Sequence, residues 1–277
     1  MIVAHPFFQI ISAASDHLSA KPSLLIQYST HFWGYVVYDA SSARVEQWKV
    51  FERKRNEEGI AEPLSPYWHS LIPSRSFERV QVINYSPRTI FIPDALNESN
   101  QQDACWNFTL GIEAGEKVLS YPVATLQAIY QHGIENEFYQ SVQQQFPNTM
   151  WIPFPAIQPK EDEHSDAISM TVIGHRIYLS VKKNQVWLLH QSYDFETPED
   201  ILYYILKVLK HFELDAEQVP ILLEGFIDTE SAITRLITQY LRNINWNSIQ
   251  RFEFPSMEED SFTQPLAHID RILTCVS

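Results

Sequence analysis

Glycine is scarce in this chain, seven residues in 277, against roughly 7% of residues in an average protein. Loops that wrap phosphate groups need glycine, because a residue without Cβ adopts positive φ freely and lets backbone amides close on an anion. A composition this poor in glycine lacks material for several phosphate cradles. Cysteine is limited to Cys105 and Cys275, far apart in sequence and in no Cys-x-x-Cys or Cys/His spacing; they read as buried, small apolar residues of a reducing compartment. Positive charge is also short. Lys and Arg number 20 against 34 Asp and Glu, a formal net charge of -14, which phosphate backbones and anionic membranes repel; no nucleic-acid partner is expected. No stretch reaches the roughly 18 to 20 apolar residues of a membrane span. Residues 1–20 include Pro6, Asp16 and His17 and lack the basic start and apolar core of a signal peptide. The expected location is the cytoplasm.

What the chain does have is apolar and aromatic content, 45% and 13%, enough for two cores, and a repeat. Residues 24–51 alternate through three short runs joined by polar turns: Leu24 to Ile26, the turn Ser29, Thr30 and His31, then Trp33 to Tyr38, the turn at Asp39 to Ser42, then Val45, Trp48 and Val50. That spacing predicts an antiparallel meander. Residues 168–193 repeat it, with Gly174 and His175 in the first turn and Lys182 to Asn184 in the second.

Behind the second meander, Thr197, Pro198 and Asp200 read as the capped start of a helix whose Ile201, Ile205, Val208 and Phe212 share a face. A buried strand over 219–223 ends at Gly225; Asp228 is expected to cap a further helix carrying Ile233, Leu236, Ile237, Tyr240 and Leu241, followed by a strand over 249–254 and a closing helix from Pro265. The first half follows more loosely: a polar stretch over 52–71, a strand near 89–92, a helix over 95–106, a strand near 126–130, and a helix carrying Ile134, Phe138 and Val142. A three-strand antiparallel meander followed by alternating helices and strands is the order of the ribonuclease-H-like fold. The fold class is therefore α/β, two tandem ribonuclease-H-like lobes in the actin-like ATPase plan, with lobes at 1–150 and 151–277.

The wording of the second half resembles a family. Tyr193, Phe195, Thr197, Pro198, Glu199, Asp200, Leu202, Tyr203 and Tyr204, then Leu214 and Asp215, then Gly225, Ile227, Asp228 and Ser231 resemble the uncharacterised bacterial family known as domain of unknown function 3822. Ile90, Ile92, Pro93 and Leu96 extend the likeness into the first half. The resemblance implies a degenerate actin-like ATPase fold. It implies no activity, since the matching residues are caps and core positions.

An active ATPase of this plan holds phosphate on the first turn of each lobe, with a nearby carboxylate positioning magnesium. Here those turns are Tyr28, Ser29, Thr30, His31 and Ile173, Gly174, His175, Arg176, neither with a carboxylate and only the second with a glycine. The loop that would face adenosine reads Leu223, Glu224, Gly225, Phe226, one glycine followed by a bulky ring. The candidate nucleotide-cleft residues are thus Ser29, Thr30, Gly174, Gly225 and Asp228; the structural alternative makes them ordinary turn and cap residues.

Other chemistries have less support. A ribonuclease-H-type nuclease needs carboxylates on its central strands to bind two metals, and residues 24–29 contain none. The acidic run Glu161, Asp162, Glu163, His164, Asp166 follows no calcium-loop spacing and reads as solvated loop. No Gly-x-Ser-x-Gly elbow or His-x-x-x-His pair occurs. No catalytic residue and no metal site is assigned. The seven tryptophans, Trp33, Trp48, Trp68, Trp106, Trp151, Trp187 and Trp246, are candidate anchors for a protein partner, with burial in the core as the plainer reading. The expected function is a non-catalytic interaction or assembly module with no cofactor. Its alternative is an ATPase or phosphotransferase using ATP and magnesium, with Asp39 and Asp228 as the available carboxylates.

Overall fold

The computed structural model describes residues 6, 8–11, 19–54, 61–64, 68–96, 102–157, 166–255 and 263–277. The chain divides into two units, Met1–Ile157 with Glu253–Ser256, and Gln158–Phe252 with Met257–Ser277.

The first unit begins with β1 (Phe8–Ile11) and the meander β2 (Ser23–Tyr28), β3 (Phe32–Asp39) and β4 (Arg44–Glu52). After the short helix α1 (Trp68–Leu71) come β5 (Val80–Asn84), β6 (Thr89–Pro93), α2 (Gln102–Thr109), β7 (Glu116–Val123), β8 (Ala128–Glu135), α3 (Asn136–Gln145) and β9 (Met150–Pro153). The main sheet has the order β1-β4-β3-β2-β5-β9, and β6-β8-β7 form a separate antiparallel sheet. β5 lies parallel to β2 on one side and to β9 on the other. One face of the main sheet packs Ile26, Trp33, Tyr35 and Phe51 against Phe138 and Val142 of α3 and Trp68 of α1.

The second unit repeats the plan: β10 (Ala167–Ile173), β11 (Arg176–Lys183), β12 (Val186–Asp194), α4 (Pro198–His211), β13 (Ile221–Gly225), α5 (Ala232–Tyr240), β14 (Ile244–Trp246) and α6 (Thr263–Val276). Its sheet order is β12-β11-β10-β13-β14, with β13 parallel to both neighbours. Ile168, Met170, Leu179, Ile201, Ile205 and Leu223 meet in its core. The repeat holds down to irregularities. β4 carries one extra residue where β3 passes from Val37 to Tyr38, and β12 does the same where β11 passes from Val181 to Lys182.

Local signals placed several elements well. Asp200 accepts the amides of Thr197 at 2.9 Å and Glu196 at 3.0 Å, so α4 starts where the capping pattern puts it. Other expectations need correction. Ser231, not Asp228, caps α5, its Oγ accepting from Thr234 N at 3.2 Å. The strand after α5 is β14, while the expected strand over 249–254 supplies only an isolated bridge from Glu253 to Arg44. α2 starts later than expected, β8 extends to Glu135 and takes in Ile134, and β1, β5, β7 and β9 were not foreseen. Cys105 is half-buried and Cys275 exposed, neither in a disulfide, where burial is expected of them. Much of the polar stretch over 52–71 and the acidic run through Glu161, Asp162, Glu163 and His164 lie outside the described residues.

β5 shows why the missed strands are hard to read. Its Val-Gln-Val-Ile-Asn carries two amides into a fully buried position, which is tolerable only when both find partners. Gln81 Oε1 accepts from the Tyr38 hydroxyl at 3.0 Å, and Asn84 donates to Gly133 O at 2.9 Å. Those partners lie more than 40 residues away along the chain.

Candidate functional site

In the first unit Ser29 and Thr30 occupy the turn that leads out of β2. The turn is closed by its own groups: Ser29 N donates to Phe32 O at 3.0 Å, His31 N donates to Ser29 Oγ at 3.2 Å, and Thr30 Oγ1 meets His31 Nδ1 at 2.9 Å. Beneath it lies Arg53, whose side chain is wholly buried. Arg53 donates to Ser29 O at 3.1 Å, to Glu62 O at 2.7 Å and to Glu135 Oε1 at 2.6 Å, and its guanidinium lies 5.5 Å from the Tyr28 ring centroid. Burial, reinforced by Glu135, holds the Tyr28 phenol above its ordinary pKa. A phosphate cradle presents free amides to its ligand; here the Ser29 and His31 amides already bond within the turn.

In the second unit Gly174, Gly225 and Asp228 gather at the carboxyl ends of β10 and β13. Gly174 has φ +59 in a two-residue hairpin turn, and a Cβ there would meet nothing within 4 Å. Gly225 differs. It is paired with Val172, has φ +101, and a Cβ would stand 2.2 Å from Val172 O and 2.9 Å from Val172 N. Sheet packing thus requires this glycine whether or not a ligand approaches. Asp228 is exposed, and its carboxylate accepts from Glu230 N at 2.8 Å in its own turn. Asp39 behaves alike in the first unit, accepting from Ser41 Oγ at 2.6 Å and Ser41 N at 2.8 Å, bonds that lower its pKa. The residues present do not fit a magnesium nucleotide: of the two candidate glycines the close-packed one, Gly225, faces backbone, and both candidate carboxylates serve local turns. Among the described residues no three His, Cys, Asp or Glu side chains form a metal-holding group.

Beside Gly225 lies a charged cluster that the sequence reading missed. Glu224, on β13, accepts from Thr171 Oγ1 at 2.7 Å, Asn247 Nδ2 at 2.8 Å, Arg271 Nε at 2.7 Å and His268 Nδ1 at 3.2 Å, with a second bond from Arg271 Nη2. Burial pushes the Glu224 carboxyl up, but Arg271 and the His268 hydrogen bond outweigh it and hold the group well below the usual carboxylate range. Burial lowers the His268 pKa and Arg271 adds to the effect, against the raising influence of Glu224. The available signal was a lone carboxylate in the apolar run Ile221 to Gly225, answered by His268 and Arg271 three apart on α6.

A second buried group joins the two sheets of the first unit. Asn84 Oδ1 accepts from Ser86 N at 2.9 Å, which turns its Nδ2 toward His132 Nδ1 at 2.8 Å. His132 Nδ1 is therefore the acceptor and Nε2 carries the proton. Burial lowers the His132 pKa to about 3. The unfolded chain then binds a proton that the folded chain refuses, so stability falls as pH drops from about 6.5 toward 3, by about 1.4 kcal/mol per pH unit. Urea titrations at pH 6.5 and pH 5 should differ by roughly 2 kcal/mol from this group. His132→Gln should flatten that part of the slope, and an unchanged slope in the variant would assign the acid sensitivity elsewhere.

Four tryptophans, Trp33, Trp48, Trp68 and Trp106, are fully buried, Trp151 is 9% exposed, and Trp187 and Trp246 are half-buried. The most exposed large apolar side chains among the described residues are Phe108 at 94% and Ile112 at 69%, beside a segment anchored by Arg88 Nη2 donating to Gly111 O at 2.6 Å. No described helix is long and apolar enough to cross a membrane.

Comparison with known proteins agrees with this architecture. A family model described as "Protein of unknown function (DUF3822)" matches residues 12–244. A crystal structure from Bacteroides thetaiotaomicron, of a protein with actin-like ATPase fold and unknown function, is similar at 19% identity and TM-score 0.71, covering 92% of this chain and 96% of that one. A structure of the PilM-PilN type IV pilus biogenesis complex is similar at 12% identity and TM-score 0.56, covering 92% and 98%. No curated protein matches the chain. The fold is that of the actin-like ATPases.

Proposed function

We propose, from the premise that this chain belongs to the DUF3822 family of proteins of unknown function, that it is a bacterial, cytoplasmic interaction or assembly module which keeps the actin-like fold without nucleotide chemistry. The observation that carries the reading is the first-unit turn. Ser29 and His31 amides bond inside it, and Arg53, already paired with Glu135, holds its carbonyl. Gly225 packed on Val172 supports the same reading in the second unit. A fold hosts many functions, and the PilM-PilN complex is a case in which a protein of this fold class is found in a protein assembly.

The test is calorimetric titration of the whole protein with ATP and magnesium, alongside thermal unfolding. No heat and no rise in Tm at millimolar ATP is the expected result. Saturable binding weakened by Thr30→Glu would overturn it and favour an ATPase or phosphotransferase. Gly225 substitutions are unsuitable controls because they disturb the sheet itself.

A further inference from the structure

Between β5 and α3 the first unit inserts an arm made of β6, α2, β7 and β8, whereas in the second unit β13 leads directly to α5. The arm is an addition to the repeated plan. Its residues 89–116 carry five carboxylates and no Lys, Arg or His. Four of the large apolar side chains that stand exposed among the described residues lie in the same stretch: Phe91, Leu96, Phe108 and Ile112.

The end of α2 is held firmly. Leu110 N and Gly111 N both donate to Trp106 O, at 2.9 and 3.1 Å, and Gly111 turns the chain with φ +69. Arg88 lies over the Trp106 ring, donates to Gly111 O at 2.6 Å and to Glu116 from Nε at 2.5 Å and from Nη2 at 2.9 Å, and pairs with Glu113 at 2.8 Å. Asn136 N, at the start of α3, donates to Gly115 O at 2.7 Å. On either side of Gly111, Phe108 and Ile112 nevertheless keep 94% and 69% exposure. Covering them would recover hydrophobic free energy without first ordering a loop. The charge of Arg88 is already answered by Glu113 and Glu116, and Lys117, the next cation along the chain, lies 5.9 Å from the Tyr139 ring. The exposed Asp94, Asp103 and Glu113 therefore set the sign of this arm.

We propose that the arm is a docking surface for a Lys- and Arg-rich amphipathic segment of a partner protein, with Phe108 and Ile112 as apolar anchors and Asp94, Asp103 and Glu113 facing the partner's cations. Aromatic anchors on a pre-ordered frame carry most of the energy of such contacts, and complementary charge selects the partner. An anionic membrane and a second copy of this chain, whose net charge is -14, are both disfavoured by that charge. The inference rests on the reading of the chain as an interaction module and names the surface that module uses.

Fluorescence anisotropy of a labelled amphipathic helical peptide of Leu and Lys, titrated with the whole protein at physiological salt, tests it. Saturable binding is expected. Phe108→Ser should weaken it roughly tenfold or more, as truncation of a hot-spot residue does, with circular dichroism and Tm unchanged because the side chain is exposed. Asp103→Asn should weaken it less and reduce its salt dependence. Tyr203→Ser, at a 58% exposed aromatic on α4 of the second unit, should leave it unchanged. A Lys and Ser peptide of equal charge should bind poorly. The proposal is overturned if the Leu and Lys peptide does not bind, if Phe108→Ser binds it as the wild type does, or if the Lys and Ser peptide binds equally well, which would reduce the attraction to charge alone. Sedimentation that shows a wild-type dimer dissociated by Phe108→Ser would overturn it in favour of a second copy. The titration with ATP and magnesium is separate: nucleotide binding there would overturn the non-catalytic reading while leaving a Phe108-dependent peptide site in place, and a failed peptide titration would leave that reading standing without this surface.

Discussion

Replacing Gly225 with alanine is expected to destabilise the second unit by about 3 kcal/mol or more, the combined scale of a forbidden backbone conformation and an overpacked contact. The added Cβ would stand 2.2 Å from Val172 O and 2.9 Å from Val172 N. Both obstacles are backbone, on β10 at the middle of the sheet, so no side-chain rotation relieves them. The φ of +101 adds strain for any L residue. Phe226 N also donates to Val172 O at 2.7 Å, and separating the strands would stretch that bond. Gly174→Ala provides the contrast: its φ is also positive, at +59, but nothing lies within 4 Å, so about 1 kcal/mol is expected. Urea unfolding followed by far-ultraviolet circular dichroism separates the cases. A Gly225→Ala protein within 1 kcal/mol of wild type, on the scale of an ordinary substitution, would mean that the strand end has room, and the candidate cleft would reopen.

Arg271→Met should cost about 3 to 5 kcal/mol, the usual penalty for stripping one partner from a buried ion pair. Glu224 would keep its bonds from Thr171, Asn247 and His268 but lose the full positive charge of Arg271, while burial and Arg271 hold His268 toward its neutral form. The double variant Glu224→Gln with Arg271→Met should recover part of the loss, because it removes the uncompensated charge. The pH dependence supplies a second readout. In the wild type the depressed Glu224 pKa contributes stability above the unfolded value of 4.5, lost as pH falls through the lower folded value. Without Arg271, burial favours the protonated acid, so the gap between variant and wild type should narrow from pH 7 toward pH 4. A gap that stays constant across that interval would reduce the Arg271 contribution to packing.

Both predictions centre on residues one apart on β13, yet they differ in how visible they were in sequence. Gly225 stood out as a rare glycine at the end of an apolar run, open to a cleft reading and to a structural one. A glycine at that point suits a ligand loop and a close strand crossing equally well, and only the position of the Val172 carbonyl distinguishes them. Glu224 drew notice only as its neighbour. Its partners come from β10, the segment after β14, and α6, up to 53 residues away, and sequence spacing along one helix or strand says nothing about such pairs.

The sequence by itself determined what depends on near neighbours: the doubled meander with its polar turns, the Thr197 and Asp200 start of α4, the closing helix α6, and the likeness to a family whose fold it shares. Period-two alternation and capping act within a few residues, so they are legible without the rest of the chain. The tertiary structure alone decided that Gln81 and Asn84 belong to a central strand, that Ser231 caps α5 in place of Asp228, that Arg53 underlies the Ser29 turn, and that β1 adds to the edge of the first meander. Each depends on a hydrogen bond or close contact whose favourable energy exists only after distant segments meet in a water-poor interior, where an unpartnered amide or charge is too costly to keep.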